Sequence, residues 1–138
     1  MNIVSLSCSV AVSAQISAED VAEIAAAGYK VLVNNRPDGE EAGQPSAAEI
    51  AAAAERVGLE YHYMPVTHTS FPGDDFAAFS ALLDNRDRPV LAFCRTGTRC
   101  TNLWVSSREP GEREQASATA ASLGFDLGMA GVYLSREN

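Results

Sequence analysis

The chain has 138 residues, 46% of them hydrophobic, which is enough for one domain with its own core and is the composition of an ordinary globular protein. A formal net charge of −8 makes a surface that repels polyanions, so nucleic acid and acidic membrane are poor candidate partners. Apolar runs fall short of the roughly 20 residues that cross a bilayer, and the first 13 residues lack the basic start of a secretory signal, so a cytoplasmic location is expected.

In chain order, Val10–Ala14 reads as a short strand. Ser17 with Asp20 then forms a capping-box pattern that opens a helix through Ala27, ended by Gly28. Lys30–Asn34 follows as a strand, and Arg36-Pro37-Asp38-Gly39 as a turn. A second capping-box pattern, Ser46 with Glu49, starts a helix to about Val57, where Gly58 stops it. Tyr61–Val66 reads as the next strand, Asp74–Leu83 as a helix with apolar Phe76, Phe79, Leu82 and Leu83, and Val90–Phe93 as a buried strand. Thr98–Ser107 and Glu112–Leu123 read as helices separated by Pro110-Gly111. Phe125–Asn138 has no clear period and is expected to be a loosely structured tail on a core of about residues 5–124. Alternating strands and helices imply an α/β fold with a mostly parallel sheet covered on both faces, binding its ligand at the carboxyl ends of the strands.

The three cysteines, Cys8, Cys94 and Cys100, are too few and too unevenly spaced for a disulfide scaffold or a four-ligand zinc site. The two histidines add no metal-ligand spacing: His62 alternates with Tyr61 and Tyr63 along a strand, and His68 lies in a polar loop, both read as structural. Neither metal nor cofactor is expected.

Cys94 stands where the last strand ends and a helix begins, in Cys94-Arg95-Thr96-Gly97-Thr98-Arg99. Such a loop turns consecutive backbone N–H groups toward one point, and the helix end adds partial positive charge there. Gly97 allows the turn, while Arg95 and Arg99 bring fixed positive charge into an acidic chain. The same field favours the Cys94 thiolate, the form that acts as a nucleophile.

Cys94-x-x-Gly97-x-Arg99 resembles the six-residue active loop of rhodanese-type sulfurtransferases, and also a shortened Cys-x5-Arg loop of protein tyrosine and dual-specificity phosphatases. With Asn34-Asn35-Arg36-Pro37-Asp38-Gly39-Glu40-Glu41 and Gln44-Pro45-Ser46, it resembles more closely the phosphatase-like domain of beta-lactamase-hydrolase-like proteins, which is sometimes fused to a metallo-beta-lactamase-type sulfur dioxygenase. The resemblance covers about residues 5–105. It implies a phosphatase-like α/β fold, an activity of sulfur transfer or phosphate hydrolysis, and a sulfur-oxidising enzyme as a partner. The phosphatase pattern has Arg where this chain has Cys100, and His where it has Phe93. Asp74 and Asp75 lie after the preceding strand, where those phosphatases place a general acid.

The leading expectation is a sulfurtransferase in which Cys94 takes sulfane sulfur from a small anion such as thiosulfate or a persulfide and passes it on from its own persulfide. Arg95, Thr96, Gly97, Thr98 and Arg99 would hold the anion, and Arg36 and Asp38 are substrate-side candidates. The alternative is hydrolysis of phosphate monoesters through a phosphocysteine, which gains more from an acid at Asp74 or Asp75. A non-catalytic anion-binding or redox-sensing module is the third reading. Cys100 is a candidate resolving thiol for an oxidised Cys94.

Overall fold

A computed structural model of the chain describes residues 1–137. Five strands form one sheet in the order β1 (Val4–Ser5), β2 (Val10–Ser13), β5 (Val90–Phe93), β3 (Val31–Asn34) and β4 (Glu60–Tyr63). Only β1 runs antiparallel, paired with β2; every other pairing is parallel. The short strand β1 carries no sequence pattern that separates it from a loop.

Alternation along the three central strands sorts the core into two layers. Ala11, Leu32, Leu91 and Phe93 face helices α1 (Ala18–Ala26) and α2 (Ala47–Val57), where they pack on Val21, Ile24, Ile50 and Ala54. Val10, Val12, Val31, Val33, Val90, Ala92 and Cys94 face the opposite layer. That layer comprises α3 (Phe76–Leu82), α4 (Thr98–Ser106), a 3-10 turn at Pro110–Glu112, α5 (Arg113–Ser122) and α6 (Gly128–Glu137). This mostly parallel sheet, flanked on both sides by helices, is the α/β architecture expected from the alternation of strands and helices. No described helix is long and apolar enough to cross a membrane.

Helix starts follow the capping residues with one difference. At α1 the box closes in both directions: Ser17 Oγ accepts from the Asp20 N–H, and Asp20 Oδ2 accepts from the Ser17 N–H at 2.9 Å. At α2 Ser46 Oγ accepts from the Glu49 N–H, while the carboxylate that caps the first turn comes from Asp38, whose Oδ1 accepts from the Ala47 N–H at 2.7 Å. Helix α3 begins at Phe76, later than the expected Asp74, and Asp75 precedes it without a side-chain capping bond.

Strand β4 ends at Tyr63, short of the expected Val66, because Pro65 has no N–H for the ladder; Met64 and Val66 on either side still donate to the carbonyls of Asn34 and Asn35. The segment expected as a loose tail is corrected more substantially, since it carries α6; Asn138, its last residue, lies outside the described residues. With Gly128 and Gly131 the helix has poor intrinsic propensity, and tertiary bonds supply its start. Asp126 Oδ1 accepts from the Gly128 N–H, and buried Asn102 on α4 accepts from the Ala130 N–H while donating to the Asp126 carbonyl.

Candidate active site

Strand β5 lies at the centre of the sheet, and its carboxyl end delivers Cys94 between the ends of β2 and β3. The Cys94 N–H donates to the Ser13 carbonyl, and the Gln15 N–H donates to the Arg95 carbonyl, so the loop is tied to the chain leaving β2. Gly97 caps α4 with φ of 86°, a left-handed conformation that disfavours a side chain. A Cβ there would still find ordinary contact distances, so the backbone angle rather than space is what requires glycine.

This turn folds the loop back onto the sulfur. The Gly97 N–H donates to Cys94 Sγ at 3.1 Å. The pKa of Cys94 falls to about 6, chiefly because the Cys100 thiol donates a hydrogen bond to it; the backbone N–H groups of Cys100 and Thr96 and the Arg99 charge add to this, all against the cost of burial. Cys94 and Cys100 are both fully buried, yet their ionisation runs in opposite directions. Burial and the neighbouring thiolate push Cys100 well above the usual thiol range, which keeps it a proton donor.

Arg99 does not stand free in the loop. Its Nη1 and Nη2 donate to the two carboxylate oxygens of Glu40, each at 2.8 Å, and Nη1 also donates to the Val66 carbonyl at 3.0 Å. Glu40 accepts on its other side from Arg36 Nε at 2.9 Å. The Arg99 bond, followed by that of Arg36, holds the Glu40 carboxyl below its ordinary range despite partial burial. Arg36, 2% exposed, also donates from Nη1 to Gln15 Oε1, while its Nη2 makes no hydrogen bond and lies 3.7 Å from Glu41. Arg36 and Arg99 therefore share the Glu40 carboxylate, with Glu41 beside Arg36.

Cys94, Arg99, Thr96, Gly97, Thr98 and Cys100 are brought together in one turn. Arg95 sits at its exposed edge, 3.4 Å from Glu41. Arg36 meets the loop through Glu40, and Asp38 is turned to the start of α2. Asp74 is exposed, and Asp75 lines a small hollow with Asn35, Pro72 and Phe79. His68, on the loop after β4, borders the mouth of the site. It lines a hollow of about 220 Å³ with Glu40, Thr96, Thr98, Arg99 and Met129, and a second of about 700 Å³ against α6. Glu40 was within reach of sequence reasoning as the acidic residue following the Arg36-Pro37-Asp38-Gly39 turn. Met129 lay in the segment without a period, and nothing in the sequence signalled it. Among the described residues no group of three or more His, Cys, Asp or Glu side chains is arranged to hold a metal ion.

A family model described as the phosphatase-like domain of beta-lactamase hydrolase-like protein matches residues 2–111. The beta-lactamase hydrolase-like protein of Xylella fastidiosa is 36% identical over 140 residues, an alignment that takes in 99% of this chain and 32% of the relative. The chain thus spans about a third of the length of the curated relatives it matches. A crystal structure of a candidate phosphatase from Neisseria meningitidis Z2491 superposes with a TM-score of 0.75 at 34% identity, covering 93% of this chain and 92% of that one. The active form of Tk-PTP shares the fold, with a TM-score of 0.73 at 19% identity over 98% and 94% of the two chains. By the extent of the family match, this chain belongs to the phosphatase-like domain family of beta-lactamase hydrolase-like proteins.

Proposed function

We propose that the chain is a cysteine-dependent phosphatase of small phosphate monoesters. The observation that carries this reading is a buried thiol lowered to about 6 at the carboxyl end of the central strand, on the fold of the tyrosine and dual-specificity phosphatases. The phosphoryl oxygens seat over the loop N–H groups at the start of α4, where the helix end and Arg99 oppose their charge. Cys94 Sγ attacks phosphorus, the ester P–O bond breaks, and the alkoxide leaves with a proton. Water then hydrolyses the phosphocysteine, releasing phosphate and regenerating the thiolate.

The leaving group needs that proton, and we assign its delivery to His68, which lines both hollows at the loop, whereas Asp74 and Asp75 line neither. Glu40 positions Arg99 and is not the acid, since both its oxygens are held by guanidiniums.

Sulfur transfer is the second reading. It is favoured by the spacing of Arg99, five residues after Cys94 as in the rhodanese loop, and by the fact that neither aspartate lines the hollows at the loop, because sulfite and thiolates leave without an acid. A sulfur-oxidising enzyme, joined or separate, is the partner that goes with it. Parallel assays with an aryl phosphate and with thiosulfate plus cyanide test the choice. Aryl phosphate turnover that is lost in Cys94→Ser and lowered about a hundredfold in His68→Ala is expected. Turnover of thiosulfate alone, indifferent to His68→Ala, would transfer the assignment to sulfur chemistry, and turnover of neither would leave a binding module.

A further inference from the structure

Beyond the anion seat, α6 presents one stripe of its surface to the larger hollow. Met129, Val132, Tyr133 and Arg136 recur at helical spacing and line it together, with Phe71 across from them. The Tyr133 ring is braced edge-on against Phe71 and Phe76, with centroids 6.0 and 5.7 Å apart, so this wall is aromatic and firm. Val132 is 54% exposed although apolar. The hollow's volume of about 700 Å³ is that of a small-molecule site. It adjoins the smaller hollow at the loop, since His68, Thr98 and Met129 line both.

Arg136 closes the stripe. Arg136, like Arg56, Arg86 and Arg113, has no ion pair among the described residues, but of these four it alone lines the hollow. From Met129 at the mouth to Arg136, the helix rises about 10 Å at ~1.5 Å per residue. Asp126, the one carboxylate lining the hollow among the described residues, accepts from the Gly128 N–H. An apolar trough that starts at the anion seat and ends two turns away at an unpaired guanidinium is complementary to a flat group with an anion at each end.

We propose that the hollow between α6 and Phe71 is the leaving-group site, taking a small ester whose flat apolar leaving group ends in a second anion held by Arg136. The proposal rests on the phosphatase reading for the identity of the transferred group, but not for the shape of the site. Most of its walls come from α6 and the turn before it, beyond residue 111, where the family match ends.

Protection of Cys94 from iodoacetamide, followed by peptide mass spectrometry, reads occupancy without turnover. The probes are inorganic phosphate, then methylphosphonate, biphenyl-4-phosphonate and its 4′-carboxylate, then the three matching sulfonates. The carboxybiphenyl member is expected to protect at a concentration at least about tenfold below that of the methyl member of its series, the size of effect that burying one ring gives. Arg136→Gln should erase the gain due to the carboxylate, and Val132→Glu the gain due to the rings. Both positions are exposed, so neither substitution threatens folding, and Val57→Glu on α2 serves as the control that keeps both gains. Equal protection by methyl and biphenyl members in both series would overturn the site, as would gains that survive both substitutions. Protection confined to sulfonates, with the biphenyl gain intact, would overturn the phosphatase reading and uphold the site; no protection by any member would overturn both.

Discussion

The two faces of the sheet are built from the same strands and differ in almost everything else. The face under α1 and α2 is an apolar layer of Ile, Leu, Val, Ala and Phe93 closed by two capped helices, and it contains no candidate catalytic group. The opposite face mixes its apolar residues with Cys94 and Cys100, and the helix leaving the loop also buries Thr101, Asn102 and Ser106. Thr101 Oγ1 donates to the Gly97 carbonyl at 2.9 Å and Asn102 ties α4 to α6, so these buried polar groups hold loop and helices in one arrangement. One face supplies stability, and the other spends buried polarity on geometry. Phe93 and Cys94, adjacent in sequence, fall on opposite sides of that division because strand side chains alternate.

The largest effect expected is on the chemical face. Cys94→Ser exchanges a thiolate for a hydroxyl that stays protonated, and turnover should fall by at least about a thousandfold with the melting temperature changed by only a few degrees. Residual turnover within tenfold of the parent protein would place the nucleophile elsewhere. On the other face, Ile50→Ala removes a fully buried side chain between α2 and the sheet. It should cost about 2–5 kcal/mol in denaturant unfolding while the pH midpoint of Cys94 alkylation stays near 6. A midpoint that moved with Ile50→Ala would show that the two faces are not separable.

Glu40→Gln sharpens the division within the chemical face. The amide keeps the shape but leaves Arg36, 2% exposed, and Arg99 without their shared charge, so stability should fall by about 1–3 kcal/mol and kcat/KM by about tenfold to a hundredfold. The Arg99 charge lowers the Cys94 pKa, and freeing it from Glu40 should move the alkylation midpoint further down. An upward movement would mean that Glu40 acts by placing Arg99 against the sulfur rather than by neutralising it.

Much of this molecule was legible because its signals are local. Ser17-to-Asp20 capping, Gly58 at the end of α2 and the run Val90–Phe93 before Cys94 each state their structure within a few residues. So does the loop, since Gly97 and the two arginines lie within five positions of the sulfur. What escaped depends on distance in sequence. Glu40 meets Arg99 across 59 residues, and α6 forms because Asn102 receives Ala130 across 28, neither of which leaves a periodic trace. Asp74 and Asp75 suited an acid by position after a strand. Asp74 and Asp75 line neither hollow at the loop, whereas His68 lines both.

The smallest and most discriminating effect concerns Cys100. Its S–H is the leading cause of the low pKa at Cys94, and a hydrogen bond to a charged group contributes about 1.5–3 kcal/mol, which is about one to two pH units at ~1.36 kcal/mol per unit. Cys100→Ala removes the donor, so the alkylation midpoint should rise from about 6 by that amount. Cys100→Ser keeps a donor of similar reach, and its midpoint should stay close to that of the parent. The sign for stability follows from the same linkage: a thiol whose pKa is lowered on folding stabilises the native state fully above its unfolded value, and that contribution is lost as pH falls toward about 6. The parent protein should therefore gain stability between pH 6 and 9, and Cys100→Ala should gain less over the same interval. If alanine and serine shifted the midpoint equally, the thiol's hydrogen bond would not be the cause, and the backbone N–H groups of Thr96, Gly97 and Cys100 would have to hold the thiolate without it.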